Sequence, residues 1–208
     1  MTQHPRAKKT LQELHTHPME RLKPIDALLE PDGRFGEMML WGEDEDSDVS
    51  YDLVDHYERF ALLSSPGNAP EEVVGSFVTA QHLAIASWWF FPFSVVAKNQ
   101  AYNALELALR RRMNARSARG LKERIEYAIR EGWLNPAELL ALNPCFTPAQ
   151  REAFTARTVD FAGTDTLRLW AEELPRERNY LAHGNFAAGT DPFITLDVVA
   201  QLLKQIYR

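Results

Sequence analysis

Apolar residues recur at the spacing of a helix through most of this chain, from about residue 48 onward. Four stripes follow the i, i+3, i+4 pattern that places side chains on one face of an α-helix. They are Leu53, Val54, Tyr57, Phe60 and Ala61; Tyr102, Leu105, Leu109 and Met113; Leu121, Ile125, Ala128 and Ile129; and Val198, Val199, Leu202, Leu203 and Ile206. The pattern predicts an all-α fold, an antiparallel bundle of about five to seven helices with short connections.

Prolines and one glycine indicate where these helices begin and end. Pro92 interrupts the stretch from residue 71 to 113. Because proline favours the first turn of a helix, two antiparallel helices are predicted there. Pro148 offers a similar start, and Gly132 offers a stop. Pro175 either kinks the helix around it or opens a new, short helix.

Residues 1–47 lack the helical pattern, so we interpret them as a partly irregular N-terminal extension to a bundle formed by residues 48–208. The extension offers a turn at Pro31 to Gly33 and a short strand-like piece around Met38 to Trp41. The acidic run EDEDSD, from Glu43 to Asp48, lacks the alternating ligands and the glycine of a calcium loop. It is interpreted as a solvated linker, with Asp48 a candidate cap for the first helix.

Composition and charge exclude several classes of protein. The net charge of -6 argues against nonspecific coating of nucleic acid or anionic membranes, although it leaves room for a local basic patch. The single cysteine, Cys145, excludes an internal disulfide and is interpreted as a small packed residue. The most apolar run, residues 83–97, is shorter than the ~20 residues of a membrane span. No secretory signal is visible, so a cytoplasmic protein without a membrane partner is expected.

Histidines give no convincing metal site. His15 and His17 form an H-x-H pair near His4, but no carboxylate or cysteine completes a ligand set around them. His56 and His82 fall within helical patterns and are interpreted as ordinary, partly buried side chains. Neither a metal nor a cofactor is therefore expected.

Residues 110–124 reverse the overall charge of the chain, with seven basic residues and one acidic residue. Such a stretch can follow a phosphate backbone by releasing counterions. An equally good interpretation is a helix end, where arginines interact favourably with the helix dipole. The candidate RNA contacts in this stretch are Arg110, Arg111, Arg112, Arg116 and Arg119.

A block of aromatic residues precedes that stretch, at Trp88, Trp89, Phe90, Phe91 and Phe93. Platforms that stack nucleic-acid bases usually alternate aromatic with basic residues, and no basic residue lies within this block. Core packing or a subunit interface is therefore favoured over base stacking.

The stretch RERNYLAHG, from Arg176 to Gly184, places an arginine and a histidine at the spacing R-N-Y-L-A-H. A histidine that titrates near neutrality and an arginine that keeps its charge can together act on a phosphodiester. On an ideal helix, however, Arg178 and His183 lie ~7.5 Å and ~140° apart. Arg176, Asn179 and His183 share one face instead, so Arg176 is a candidate auxiliary contact to phosphate. In the alternative interpretation, Asn179 and His183 only bond a neighbouring helix and Gly184 ends this one.

With Asn179 at the polar position, this stretch resembles the R-polar-x-x-x-H motif of the HEPN superfamily (higher eukaryotes and prokaryotes nucleotide-binding domain). The helical sequences at residues 101–113 and 120–134 also look like the helices that precede the motif, so the resemblance covers roughly residues 70–207. It implies a homodimer that cuts RNA without a metal, with Arg178 and His183 as catalytic residues and Asn179 orienting them. Some toxins of the superfamily have a tyrosine two residues after the histidine, where this chain has Asn185.

The resemblance thus predicts a HEPN-type endoribonuclease that leaves 2′,3′-cyclic phosphate ends, in a toxin–antitoxin or phage-defence setting with a possible inhibitor protein. In those toxins a partner nucleotidyltransferase modifies that tyrosine and so neutralises the toxin. Because this chain has Asn185 at that position, neutralisation by this route is in doubt, although Tyr180 is a conceivable target. The first alternative is a noncatalytic HEPN-like module for dimerisation or for nucleotide or RNA binding. The second is a helical adaptor unrelated to the superfamily, with the aromatic block as its partner surface.

Overall fold

A computed structural model of the protein describes residues 23–33, 52–64, 67–113, 120–135, 138, 165–182 and 192–208. Within these ranges the regular elements are six α-helices and one short 3-10 helix, and no strand is present. The α-helices are α1 (Leu53–Ala61), α2 (Glu71–Ala86), α3 (Phe93–Arg112), α4 (Leu121–Arg130), α5 (Asp165–Ala182) and α6 (Pro192–Ile206), and the 3-10 helix spans Ile25–Ala27. The predicted all-α fold is confirmed.

Helices α2 and α3 form an antiparallel pair, as the position of Pro92 predicts. Pro92 immediately precedes α3, so its missing N–H removes no helical hydrogen bond. The end of α3 lies beside the start of α2, where Arg111 and Glu72 form an ion pair of 2.6 Å. Nearer the turn, the Gln100 amide donates to the Ser76 hydroxyl at 3.0 Å.

Helix α6 is the most buried helix of the described bundle and packs against α3 and α2. Its apolar stripe is buried as predicted, but the burial extends almost all the way round the helix. Ile194 and Lys204 are its exposed residues. A helix that is buried on nearly every face belongs to the core of the protein rather than to one side of it.

Helix α1 begins at an aspartate, but not at the one expected. Asp52 accepts hydrogen bonds from the backbone N–H groups of Val54, at 2.7 Å, and Asp55, at 3.0 Å. The Asp55 carboxylate in turn accepts from the Asp52 N–H, which completes a capping box. The cap predicted at Asp48 is therefore replaced by Asp52.

Of the apolar stripe predicted for α1, Phe60 is the member that is buried. Leu53, Val54 and Tyr57 are exposed, and α1 packs on α2 through Phe60 and His56. His56 Nε2 donates to the Ala84 carbonyl at 3.0 Å. The spacing of apolar residues does not identify this buried position, because its side chain is polar. His56 is buried, as expected of an ordinary core histidine.

Helix α4 ends at a glycine in the predicted way. Gly132 adopts a φ of 72°, in the left-handed region where residues with a Cβ are strained. Beyond it, the N–H groups of Trp133 and Leu134 both donate to the Ala128 carbonyl, at 2.8 and 3.2 Å. This satisfies a carbonyl that the end of the helix would otherwise leave without a partner.

The aromatic block forms the turn between α2 and α3 and is largely packed. Trp88 and Phe91 are buried, whereas Phe93 is partly exposed. Asp32, from the N-terminal extension, fixes this turn: its N–H donates to the Trp88 carbonyl at 2.8 Å, and its carboxylate accepts from the Phe91 N–H at 3.1 Å. The extension therefore contacts the bundle at residues 88–91.

Several predictions lie outside the described residues. They concern Met38 to Trp41, the acidic run from Glu43 to Asp48, Cys145, Pro148 and the histidines His4, His15 and His17. Among the helices that are described, none has both the length and the apolar content needed to cross a bilayer.

Candidate nucleic-acid site

Helix α5 carries most of the RERNYLAHG stretch. It runs continuously from Asp165 to Ala182 with Pro175 inside it, so the alternative of a new helix opening at Pro175 is wrong. Arg178 and Asn179 fall in the last two turns of this helix. His183 follows Ala182 directly in the chain and lies outside the described residues.

The Arg178 side chain is turned toward α3 and is 32% exposed. Its Nη2 contacts Glu106 Oε2 at 3.3 Å, and its Nη1 makes a long contact of 3.4 Å with Asn179 Oδ1. Its Nε is buried and has no hydrogen-bond partner among the described residues. Both contacts of the guanidinium are long, and it retains N–H donors for an additional acceptor.

Glu106 also binds a second arginine, so residues of three helices meet at one carboxylate. Arg124, on α4, contacts Glu106 Oε1 at 2.9 Å and is only 11% exposed. We call Glu106, Arg124 and Arg178 the Glu106 cluster. With two permanent cations and one carboxylate, this cluster carries a formal excess of positive charge, which favours an anionic ligand.

A second polar group lies beside the first and joins two of its three helices, α3 and α5. Lys98, which is 2% exposed, contacts Glu177 Oε1 at 3.2 Å. The Tyr102 hydroxyl donates to Glu177 Oε2 at 2.6 Å. We call Lys98, Tyr102 and Glu177 the Glu177 cluster.

Tyr102 is a fixed hydrogen-bond donor in this cluster. Burial, followed by the negative charge of Glu177 and its hydrogen bond, raises the pKa of Tyr102 far above its ordinary value. The hydroxyl therefore keeps its proton across the physiological range. The cluster anchors α5 immediately next to Arg178.

The other residues of the predicted site on α5 face solvent. Arg176 and Asn179 are exposed. Tyr180 is also exposed. Arg178, in contrast, is partly buried against α3.

The basic stretch of residues 110–124, which begins in the last turn of α3, contains arginines with different surroundings. Arg110 is exposed and lies one turn after Glu106 on the same face of α3. Arg111 pairs with Glu72, whereas Arg112 donates to the Ile206 carbonyl and lies over the Trp133 ring at 4.9 Å. Arg112 thus has a structural contact with the end of α6. Arg116 and Arg119 lie outside the described residues.

Sequence reasoning missed Glu106, Arg124, Lys98, Tyr102 and Glu177 as components of a site. A signal was present in α3, where Ser94, Lys98, Tyr102 and Glu106 recur at every fourth position. That spacing places four polar side chains in one line along the helix. Tyr102 was assigned to the apolar stripe of α3 instead, so the row of four polar residues was not recognised.

Comparison of this chain with protein-family models, with curated proteins and with solved structures found no match. The functional interpretation therefore depends on the side chains of α5 and on the residues that contact them.

Proposed function

We propose that this protein is a metal-independent endoribonuclease of the HEPN type, which acts as a homodimer with a composite site of Arg178 and His183. The observation that supports the proposal most directly is the environment of Arg178. The arginine of the motif is a partly exposed cation in a cluster with excess positive charge, and its Nη1 makes only a long contact within the described residues. A phosphate oxygen is a suitable acceptor for that donor.

In the proposed reaction, His183 removes the proton from a ribose 2′-hydroxyl, and the resulting oxygen attacks the adjacent phosphorus. Arg178 stabilises the additional negative charge of the pentacoordinate transition state. The P–O5′ bond then breaks, and a protonated histidine supplies the proton to the 5′-oxygen. The products are a 2′,3′-cyclic phosphate and a 5′-hydroxyl, so DNA, which lacks the 2′-hydroxyl, is not a substrate.

The remaining residues of the site assist in binding. Asn179 orients the reacting groups, and the exposed Arg176 binds phosphate at the edge of the site. Arg110, one turn beyond Glu106, extends the positive surface along α3. The predicted contacts of Arg111, Arg112, Arg116 and Arg119 belong to the same proposal. A toxin or phage-defence setting and an inhibitor partner are proposed only from the resemblance, and a cytoplasmic location is proposed because no secretory signal is visible in the sequence.

A noncatalytic RNA- or nucleotide-binding module is the second candidate. The observation in its favour is that Glu106 partly neutralises Arg178, at 3.3 Å. A carboxylate beside a cation lowers the electrostatic stabilisation available to a transition state, but it leaves a donor for the binding of phosphate.

Cleavage of a mixed RNA pool in EDTA tests the proposed function. Relative to the wild type, Arg178→Ala and His183→Ala should each reduce the cleavage rate by at least about 10²-fold, because one removes the charge stabilisation and the other removes the acid–base group. Arg130→Ala is the matched control, since Arg130 is an exposed arginine on α4. Its cleavage rate should equal that of the wild type. Mapping of the product ends should show cyclic phosphates.

Two results would contradict the proposal. One is equal cleavage by the wild type and both site variants, which would identify the activity as a contaminant. The other is RNA binding without cleavage by the wild type, which would favour the noncatalytic module. If each site takes Arg178 from one subunit and His183 from the other, a mixed dimer of Arg178→Ala and His183→Ala contains one intact site. A mixture of the two inactive variants should therefore recover part of the activity.

A further inference from the structure

The Glu106 carboxylate binds its two arginines unequally. Its contact with Arg124, which is nearly buried, measures 2.9 Å, a normal length for a charge-assisted hydrogen bond. Its contact with Arg178, which is more exposed, measures 3.3 Å and is longer than such bonds usually are. The shorter pair therefore fixes the Glu106 carboxylate, which in turn contacts Arg178.

We propose that Glu106 is a positioning residue for Arg178, that Arg124 holds Glu106 in place, and that together they set the direction of the Arg178 guanidinium toward a phosphodiester. This inference rests on the proposed function. Glu106 touches neither the substrate nor the reacting atoms in this scheme, and it acts only through Arg178. The three residues come from α3, α4 and α5, so the packing of three helices determines the orientation of one cation.

The surroundings of the Arg178 Nε support a positioning role. Among the described residues this buried group has no acceptor, which is unfavourable for a charged donor, and the contact at Nη2 holds the guanidinium in that orientation. With Nε turned inward and one N–H of Nη2 on Glu106, Nη1, whose contact with Asn179 is long, is presented to an incoming phosphate oxygen. Glu106 thus selects which edge of the guanidinium is presented.

Kinetics of the Glu106 variants test this role. Glu106→Ala should lower kcat on the order of 10²-fold, the loss typical of a misplaced catalytic group, and change KM by no more than about threefold. Glu106→Gln retains an oxygen that can accept from Nη2 and should therefore recover most of the lost rate. Glu126→Gln is the control for removal of one negative charge, since Glu126 is an exposed residue of α4. It should cleave RNA like the wild type.

A double-mutant cycle separates positioning from an independent role. If Glu106 acts through Arg178, then Glu106→Ala should cause no additional loss in the Arg178→Ala background. Losses that multiply would overturn the inference, as would a Glu106→Ala variant with wild-type kcat, and both outcomes leave the proposed function intact. Full activity of Arg178→Ala would instead contradict the proposed function.

A spectroscopic measurement decides the inference even if the protein cleaves no RNA. The ¹⁵N relaxation of the Arg178 Nε–H signal, assigned by its loss in Arg178→Lys, reports the mobility of the guanidinium. In the wild type this group should be as rigid as the backbone, and it should become mobile in Glu106→Ala and in Arg124→Ala. A signal that is mobile in the wild type, or equally rigid in all three proteins, would refute positioning by Glu106.

Discussion

Asp197 is a buried carboxylate on α6, the most buried helix of the described bundle. Its burial raises the pKa of the carboxyl above the ordinary value of 3.8, and the hydrogen bond from Gln201 together with the charge of Lys204 opposes that rise. The Gln201 amide nitrogen donates to Asp197 Oδ2 at 2.8 Å. The Gln201 amide oxygen, however, is buried without a partner among the described residues.

Asp197→Asn should therefore stabilise the protein at neutral pH. A carboxyl whose pKa is higher in the folded state opposes folding when it is ionised, so this penalty is fully present above the folded pKa and disappears below the unfolded value. The asparagine removes the penalty and can also donate to the Gln201 oxygen. The free energy of unfolding should rise by about 1 kcal/mol at pH 7, with a smaller gain near pH 4.

Urea unfolding at the two pH values measures this effect. Asp26→Asn is the control, because Asp26 is an exposed aspartate of the N-terminal extension. An equal gain from Asp197→Asn at both pH values would show that ionisation of Asp197 is not the cause.

Helix α5 is attached to α3 by two adjacent residues, Glu177 and Arg178, which reach different turns of α3. Glu177 is the partner of a lysine that is almost completely buried. Loss of the carboxylate leaves the Lys98 charge in a poorly solvated position and removes the acceptor of the Tyr102 hydroxyl. Such a loss is more costly than the loss of a surface ion pair.

Glu177→Ala should lower the free energy of unfolding by about 2 to 3 kcal/mol, somewhat less than for a fully buried pair, because Glu177 itself is 39% exposed. The double variant Lys98→Met with Glu177→Leu should recover much of that loss, since it removes both charges together. Glu172→Ala, which affects an exposed contact of 3.6 Å with Lys122, should cost less than about 1 kcal/mol. Equal losses for Glu177→Ala and Glu172→Ala, measured by thermal or urea unfolding, would contradict this account.

The helices themselves were largely predictable from the sequence. Apolar periodicity identified α3, α4 and α6, and Pro92 and Gly132 marked boundaries that the structure confirms. Helix α1 shows the limit of the method, since His56 and Phe60 form its buried face. Which face a short amphipathic helix buries depends on its neighbour, and α2 offers the Ala84 carbonyl as a partner for His56.

The candidate site was less predictable than the helices. The motif on α5 identifies Arg178, because arginine, amide and histidine are close together in the sequence. Glu106 and Arg124 precede Arg178 by 72 and 54 positions, and no local pattern joins residues at such separations. Their association results from the packing of α3, α4 and α5, which a single sequence does not specify.

At the scale of the molecule, Asp32 connects the N-terminal extension to the bundle. Asp32→Ala removes the acceptor of the Phe91 N–H and a negative charge near the start of α3. The free energy of unfolding should therefore fall by about 1 to 2 kcal/mol. Amide hydrogen exchange should also accelerate at residues 23–33 and at the turn from Trp88 to Phe91. Asp26→Ala, in the same extension, should leave both quantities unchanged, and acceleration in both variants would refute a specific anchor at Asp32.

The burial of α6 has a consequence for how the protein is made. Helices α2 and α3 precede α6 in the chain, so they leave the ribosome before the helix that packs against both of them. Until α6 emerges, the faces of α2 and α3 that it covers remain exposed and are available to chaperones.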